Sequence, residues 1–118
     1  MRALKIDYEA VPWKDAGPGG VQYKPVLLNG LGASLVKFGP NATHKVHSHD
    51  EVQMVFCLEG EIDFFVKDSQ SERLEVLKKG DVIAFQPGVE HGTRTVGPAM
   101  CLVIWNPMER FTADSIVV

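Results

Sequence analysis

Gly39-Pro40-Asn41-Ala42-Thr43-His44-Lys45-Val46-His47-Ser48-His49-Asp50-Glu51-Val52-Gln53-Met54-Val55-Phe56-Cys57-Leu58-Glu59-Gly60 is the stretch that decides the fold. Turn-forming residues close both ends, Gly39-Pro40 and Gly60. The second half, Val52 to Glu59, is rich in β-branched and large apolar residues and reads as a strand. The first half carries three of the chain's four histidines, His44, His47 and His49. His47 and His49 are two apart, so on a strand their side chains leave the same face. Gln53 lies four residues further on. The fourth histidine, His91, follows a second punctuation, Gln86-Pro87-Gly88. If a strand bearing His91 pairs close by, three imidazoles and a carboxamide oxygen converge on one point. That donor set suits a metal ion.

Outward from this stretch, nearly every segment is a short strand between turn residues. Val21 to Leu28 and Ala33 to Phe38 are joined by Asn29-Gly30, a strong hairpin signal. Ala42 to Ser48 carries the histidine pair. Gly60 turns the chain into Ile62–Val66, and Asp68 to Ser71 is a polar loop before Arg73–Leu77. Val82–Phe85 follows Gly80-Asp81, and Glu90–Val96 and Met100–Trp105 form the last hairpin across Gly97-Pro98. Such even spacing predicts a sandwich or barrel, here an all-β, double-sheet jelly roll. Residues 1–20 read as an extended arm that shields a sheet edge, because Pro12 and Gly17-Pro18-Gly19-Gly20 oppose helix. Residues 21–118 read as a single barrel domain.

A chain of 118 residues with 45% hydrophobic content fills one core. Net charge is −3 without a basic block, which argues against nucleic acid or an anionic membrane as partner. No apolar run approaches spanning length, and none near Met1 resembles a signal peptide. Two cysteines, Cys57 and Cys101, make no secreted-type framework, and a cytoplasmic protein is expected. Both read as small core hydrophobes. If Gln53 faces inward, so do Val55 and Cys57, and Met54, Phe56 and Leu58 form an apolar outer face. That face predicts a homodimer.

The spacing resembles the cupin family. Its first motif is matched by His47-Ser48-His49, Gln53 and Gly60, and its second by Gly80-Asp81 through Gly88 and His91. Gln53 stands where most cupins carry Glu, Gly39 is early, Gln86 replaces a usual Pro, and Thr95 replaces a closing Asn. The resemblance implies a jelly-roll fold and a divalent metal held by His47, His49, His91 and Gln53. These ligand types permit Zn, Ni, Fe, Mn or Cu. Gln53 either ligates or hydrogen-bonds a water on the ion. Three neutral imidazoles and a neutral amide leave the ion's full charge in place.

Within the family, the His/His/Gln/His set is similar to the small KdgF type, whose members act on unsaturated uronates, and to a cupin polyketide cyclase. Three-His cupins that cleave β-diketones or flavonols with dioxygen are a further neighbour. In the KdgF type an Asp on the last strand and an Arg after the Pro serve the sugar acid. Val103 occupies the Asp position here, and Glu109 or Arg110 the Arg position. The expected function is therefore an enzyme whose metal acts on a small enolisable carbonyl compound, as isomerase, cyclase or dioxygenase. The alternatives are a non-catalytic small-molecule binding or sensing cupin, and a structural protein with vestigial histidines.

The other polar residues carry less. His44 precedes His47 by three, so on a regular strand it points the opposite way and belongs to the rim. Glu51 is expected in a bend, solvated. Glu90 and Arg94 should point away from His91. On the last strand either Cys101, Val103 and Trp105 or Met100, Leu102 and Ile104 face inward, and both sets are apolar. Tyr23, Lys24 and Arg110 are polar candidates near the mouth.

Overall fold

The computed structural model describes residues 3–107 and 116–117. After a 3-10 turn at Tyr8–Ala10, the strands are β1 (Lys14–Asp15), β2 (Val21–Leu28), β3 (Leu31–Phe38), β4 (Thr43–His47), β5 (Val52–Glu59) and β6 (Glu61–Lys67). They continue with β7 (Glu72–Lys78), β8 (Val82–Phe85), β9 (Glu90–Arg94), β10 (Ala99–Asn106) and β11 (Ile116–Val117). No helix among the described residues is long and apolar enough to cross a membrane.

The strands form two facing sheets, the jelly roll expected from the turn spacing. The larger runs β1-β2-β3-β10-β5-β8, with β11 also paired to β2, and the smaller runs β4-β9-β6-β7. The core lies between them. Val36, Val55, Cys57, Cys101 and Val103 face inward from the large sheet, and Ile62, Phe64, Val66 and Leu77 from the small one; all are buried. Alternation explains the pattern, because successive side chains leave opposite faces of a strand. On β5 it gives buried Gln53, Val55 and Cys57 between outward Met54, Phe56 and Leu58, as the sequence indicates. On β10 it settles the open choice: Cys101, Val103 and Trp105 face inward.

The β2–β3 hairpin turns on Asn29 and Gly30, both at positive φ (50° and 83°), as the sequence signal requires. Pro25 sits within β2 and has no N–H to donate. Beside it the ladder is completed by side chains. Lys24 N–H donates to Ser34 Oγ at 2.8 Å. Tyr8 Oη donates to the Lys24 carbonyl at 2.7 Å and accepts from Leu35 N–H at 2.9 Å. Burial pushes the Tyr8 hydroxyl above its ordinary value, so it remains a donor at neutral pH. Lys24 Nζ stands 4.2 Å from the Tyr8 ring centroid, and Lys37 Nζ 4.3 Å from that of Trp13. These cation–π contacts hold the arm against the large sheet. They also remove Lys24, which is buried under the aromatics, from the mouth where the sequence had left it a candidate.

Gly60 is the single residue between β5 and β6, where the chain leaves one sheet for the other. Its φ is +76°, and an added Cβ would stand 2.5 Å from the Pro98 carbonyl oxygen and 3.0 Å from Ala99 Cα. Gly80 also has positive φ, +93°, but opens onto empty space. Gly60→Ala should therefore cost at least about 2 kcal/mol in denaturant unfolding, and Gly80→Ala only about 1 kcal/mol. Equal losses at the two positions would contradict this account of the corner.

Candidate metal centre and cavity

Strand pairing brings the histidines together. His47, the last residue of β4, lies directly opposite His91 on β9. His49 lies beyond the end of β4, not on the strand as the two-residue spacing suggests. What holds it is a backbone bond: Gly88 N–H donates to the His49 carbonyl at 2.8 Å. The turn before His91 thus clasps the segment after His47. Ring centroids are 4.5 Å apart for His47 and His49, 4.6 Å for His47 and His91, and 5.1 Å for His49 and His91. One nitrogen from each of the three lies within 4.8 Å of the others. The His91 ring also stacks on Phe85, at 4.2 Å and 11°.

The tautomers follow from hydrogen bonding. His47 Nδ1 is 2.7 Å from the Lys45 carbonyl, and His91 Nδ1 is 3.0 Å from the Val89 carbonyl. A carbonyl only accepts, so each Nδ1 carries the proton and donates. In a neutral imidazole that puts the lone pair on Nε2, the atom that can ligate a metal. His49 Nδ1 faces the Glu51 carboxylate at 3.9 Å, which favours the same tautomer. Glu51 is 8% exposed, so its expected place in solvent is corrected. It does lie in the expected bend, but its side chain is folded inward against His49.

Gln53 comes from the opposite sheet. On β5 it stands between Trp105 of β10 and Phe85 of β8 in register. Its Oε1 is buried and accepts no hydrogen bond from the protein. A buried carbonyl oxygen without a donor is costly, and a cation is a fitting partner for it. The donor chemistry therefore suits a divalent ion: three imidazole nitrogens placed to bind it, and a neutral oxygen in the same cavity.

His44 departs from the sequence reading. Register passes from His44↔Thr93 to His47↔His91, so three residues on β4 span two on β9. This β-bulge reverses the parity. His44 faces the same cavity as His47, with ring centroids 4.6 Å apart, and is not turned away. The signal was Gly92, a glycine inside a strand: a Cβ there would meet Val46 of the bulge at 3.0 Å. Glu90 and Arg94 do point outward, and Arg94 Nη2 pairs with Asp63 at 3.1 Å.

The cavity is about 400 Å³ and takes walls from both sheets and from the arm. Val36, Phe38, Val55, Phe64 and Val103 make it apolar. Asp15, Ala16 and Gly17 of the arm close one side, a role beyond shielding an edge. Tyr23 reaches it as the sequence allowed, whereas Glu109 and Arg110 lie outside the described residues. Sequence reasoning did not find Thr93, which lines it, and left Trp105 in one of two alternative inward sets; Trp105 lines it too. Cys101 lines it as well. Burial, and then the nearby Cys57, push its thiol up to about 12, so it is a neutral thiol at physiological pH.

Known proteins agree with this architecture. The family model described as a cupin domain matches residues 34–105. A germin-like protein, subfamily 2 member 1, of Arabidopsis thaliana is 35% identical over 85 residues, covering 67% of this chain and 39% of that protein. The chain thus spans well under half the length of this relative. An RmlC-like cupin from Shewanella frigidimarina superposes with TM-score 0.79 at 24% identity, covering 95% of this chain and 97% of its own. KdgF from Halomonas sp. gives 0.74 at 24% identity, covering 92% and 96%. Oxalate decarboxylase from Bacillus subtilis gives 0.80 at 16% identity, covering 91% of this chain and 30% of that one.

Proposed function

We propose that this chain, which belongs to the cupin family, is a metal-dependent enzyme acting on a small enolisable carbonyl compound. The observation that carries the reading is the convergence of three imidazoles, with Nδ1 of His47 and His91 bonded to carbonyls, in a cavity whose walls are otherwise apolar. His47, His49 and His91 would hold the ion through Nε2, and Gln53 Oε1 would either ligate it or accept from a water on it. A divalent ion there supplies Lewis acidity toward a carbonyl oxygen, and Zn, Ni, Fe or Mn suits the donors. The chain's own work is positional. The Lys45 and Val89 carbonyls fix two rings, the Glu51 carboxylate stands 3.9 Å from Nδ1 of the third, and Val36, Phe38, Val55, Phe64 and Val103 give the rest of the cavity an apolar surface.

Substrate charge follows from the lining. No Lys or Arg among the described residues lines the cavity, while Asp15 does. Apart from the ion itself, the described lining offers a sugar acid no cation for its carboxylate, and Val103 stands where the KdgF type has its Asp. A neutral carbonyl compound or its enol fits better.

The test is elemental analysis of untagged, anaerobically purified protein, with oxygen uptake measured on β-diketones and flavonols. Stoichiometric metal in the wild type, lost in a folded His49→Ala, is expected. Iron or nickel with oxygen uptake makes the reaction a dioxygenation; zinc or manganese without it, an isomerisation or cyclisation. A metal-free wild type would contradict the reading in favour of a binding cupin.

A homodimer in the cytoplasm completes the proposal. The outward face of the large sheet carries two apolar rows across β3, β10, β5 and β8. Leu35 of β3, Leu102 of β10, Phe56 of β5 and Val82 of β8 lie in one register row, and Ala33, Ile104, Met54 and Ala84 in the next. Met54 is 39% and Val82 47% exposed in the single chain. A second copy offering the same rows covers both faces at once. Sedimentation equilibrium should give the dimer mass for the wild type and the monomer mass for Ile104→Glu. A monomeric wild type would contradict it.

A further inference from the structure

His44 is a cavity histidine that the metal centre does not use. Its ring lies 4.6 Å from that of His47, edge-on at 81°, and it is half-buried. It stands outside the group of three histidines whose ligand nitrogens lie within 4.8 Å of one another. The β-bulge in β4 puts it there, because without the extra residue its side chain would leave the opposite face. That bulge is held from every side. Before it, Thr95 N–H donates to the Ala42 carbonyl and Thr43 N–H to that of Gly19, both at 2.9 Å. Within it, the Lys45 carbonyl takes the His47 Nδ1 proton at 2.7 Å. Beyond it, Gly88 N–H holds the His49 carbonyl at 2.8 Å. Gly92 on β9 leaves the room: an added Cβ would stand 3.0 Å from Val46 N and 3.2 Å from the His44 carbonyl oxygen. Bulges next to active sites commonly re-aim a side chain, and this one re-aims an imidazole.

We infer that His44 is the hydrogen-bond donor for an anionic ligand at the metal centre. A neutral imidazole always carries one N–H, so the role needs no added proton. No Lys or Arg among the described residues lines the cavity, and the Asp15 carboxylate, which does, accepts from the Gln22 amide at 3.1 Å. The His44 ring, beside His47, is then the group placed to favour negative charge on whatever the centre binds. Hydrogen bonds to an anion are about twice as strong as neutral ones, so one donor is enough to select. The ligand class is a small anion with an accepting end, or a neutral ligand whose oxygen turns anionic on the ion. This rests on the metal reading proposed above and not on the identity of the substrate.

Cobalt(II) reports ligand exchange in its visible spectrum, and azide is a small anion that accepts hydrogen bonds. Azide is titrated into cobalt-loaded wild type, His44→Phe, His44→Gln and His49→Ala, with cobalt content and circular dichroism measured in every sample. His44→Phe keeps a ring against His47 but has no N–H. It should hold cobalt as the wild type does and lose about tenfold in azide affinity, the effect of one hydrogen bond to an anion. His44→Gln regains a donor and should recover most of that loss. Wild-type azide affinity in cobalt-loaded His44→Phe would overturn the role and leave the metal reading intact. So would an equal loss in His44→Gln, which would assign the effect to ring packing. Loss of cobalt or of fold in His44→Phe would also overturn it, by making His44 a ligand or a structural residue. A wild type that takes up no cobalt, or a His49→Ala that keeps it, would instead overturn the metal reading, and this role with it.

Discussion

Two short hydrogen bonds underlie the site: His47 Nδ1 to the Lys45 carbonyl and His91 Nδ1 to the Val89 carbonyl. In each, the ring bonds the carbonyl two residues earlier in its own segment. The proton on Nδ1 decides the lone pair on Nε2, so the backbone itself sets the ligand chemistry. That works only if the two segments are held in register. The β4–β9 pairing places the rings opposite one another, and the Gly88–His49 bond brings the third histidine alongside.

The fold can be read as the means of keeping that register. Gly60 lets the chain change sheets in a single residue, so β5 presents Gln53 from one wall while β9, hydrogen-bonded to β6, presents His91 from the other. Phe64 approaches Phe85 at 5.8 Å, and Phe85 stacks on His91, so the ring is continuous with the hydrophobic core. The arm serves the same end from outside. Tyr8 repairs the ladder beside Pro25 and, with Trp13, grips two lysines, while the residues that follow form a cavity wall.

Much of this was legible in the sequence because period-two patterns and turn residues are local. β2, β5 and β8 have the bounds read from composition, and the parity of β5 follows from alternation alone. Three features were not legible, each for a physical reason. The parity of His44 assumed a regular strand, and one extra residue in a bulge reversed it; Gly92 was the clue. Glu51 was placed in solvent because loops usually are, but its partner His49 pulls it inward. The facing of β10 could not be chosen because both of its faces are apolar, and only pairing with β5 decides it. That choice puts Trp105 among the residues that line the cavity.

The most direct test of the account is X-ray absorption at the edge of the metal in purified protein. Three imidazole nitrogens together with oxygen donors are predicted in the first coordination sphere, and no sulfur, because Cys101 remains a buried thiol. Fewer than three imidazoles, or a sulfur at bonding distance, would contradict the assignment of His47, His49 and His91 as the metal centre.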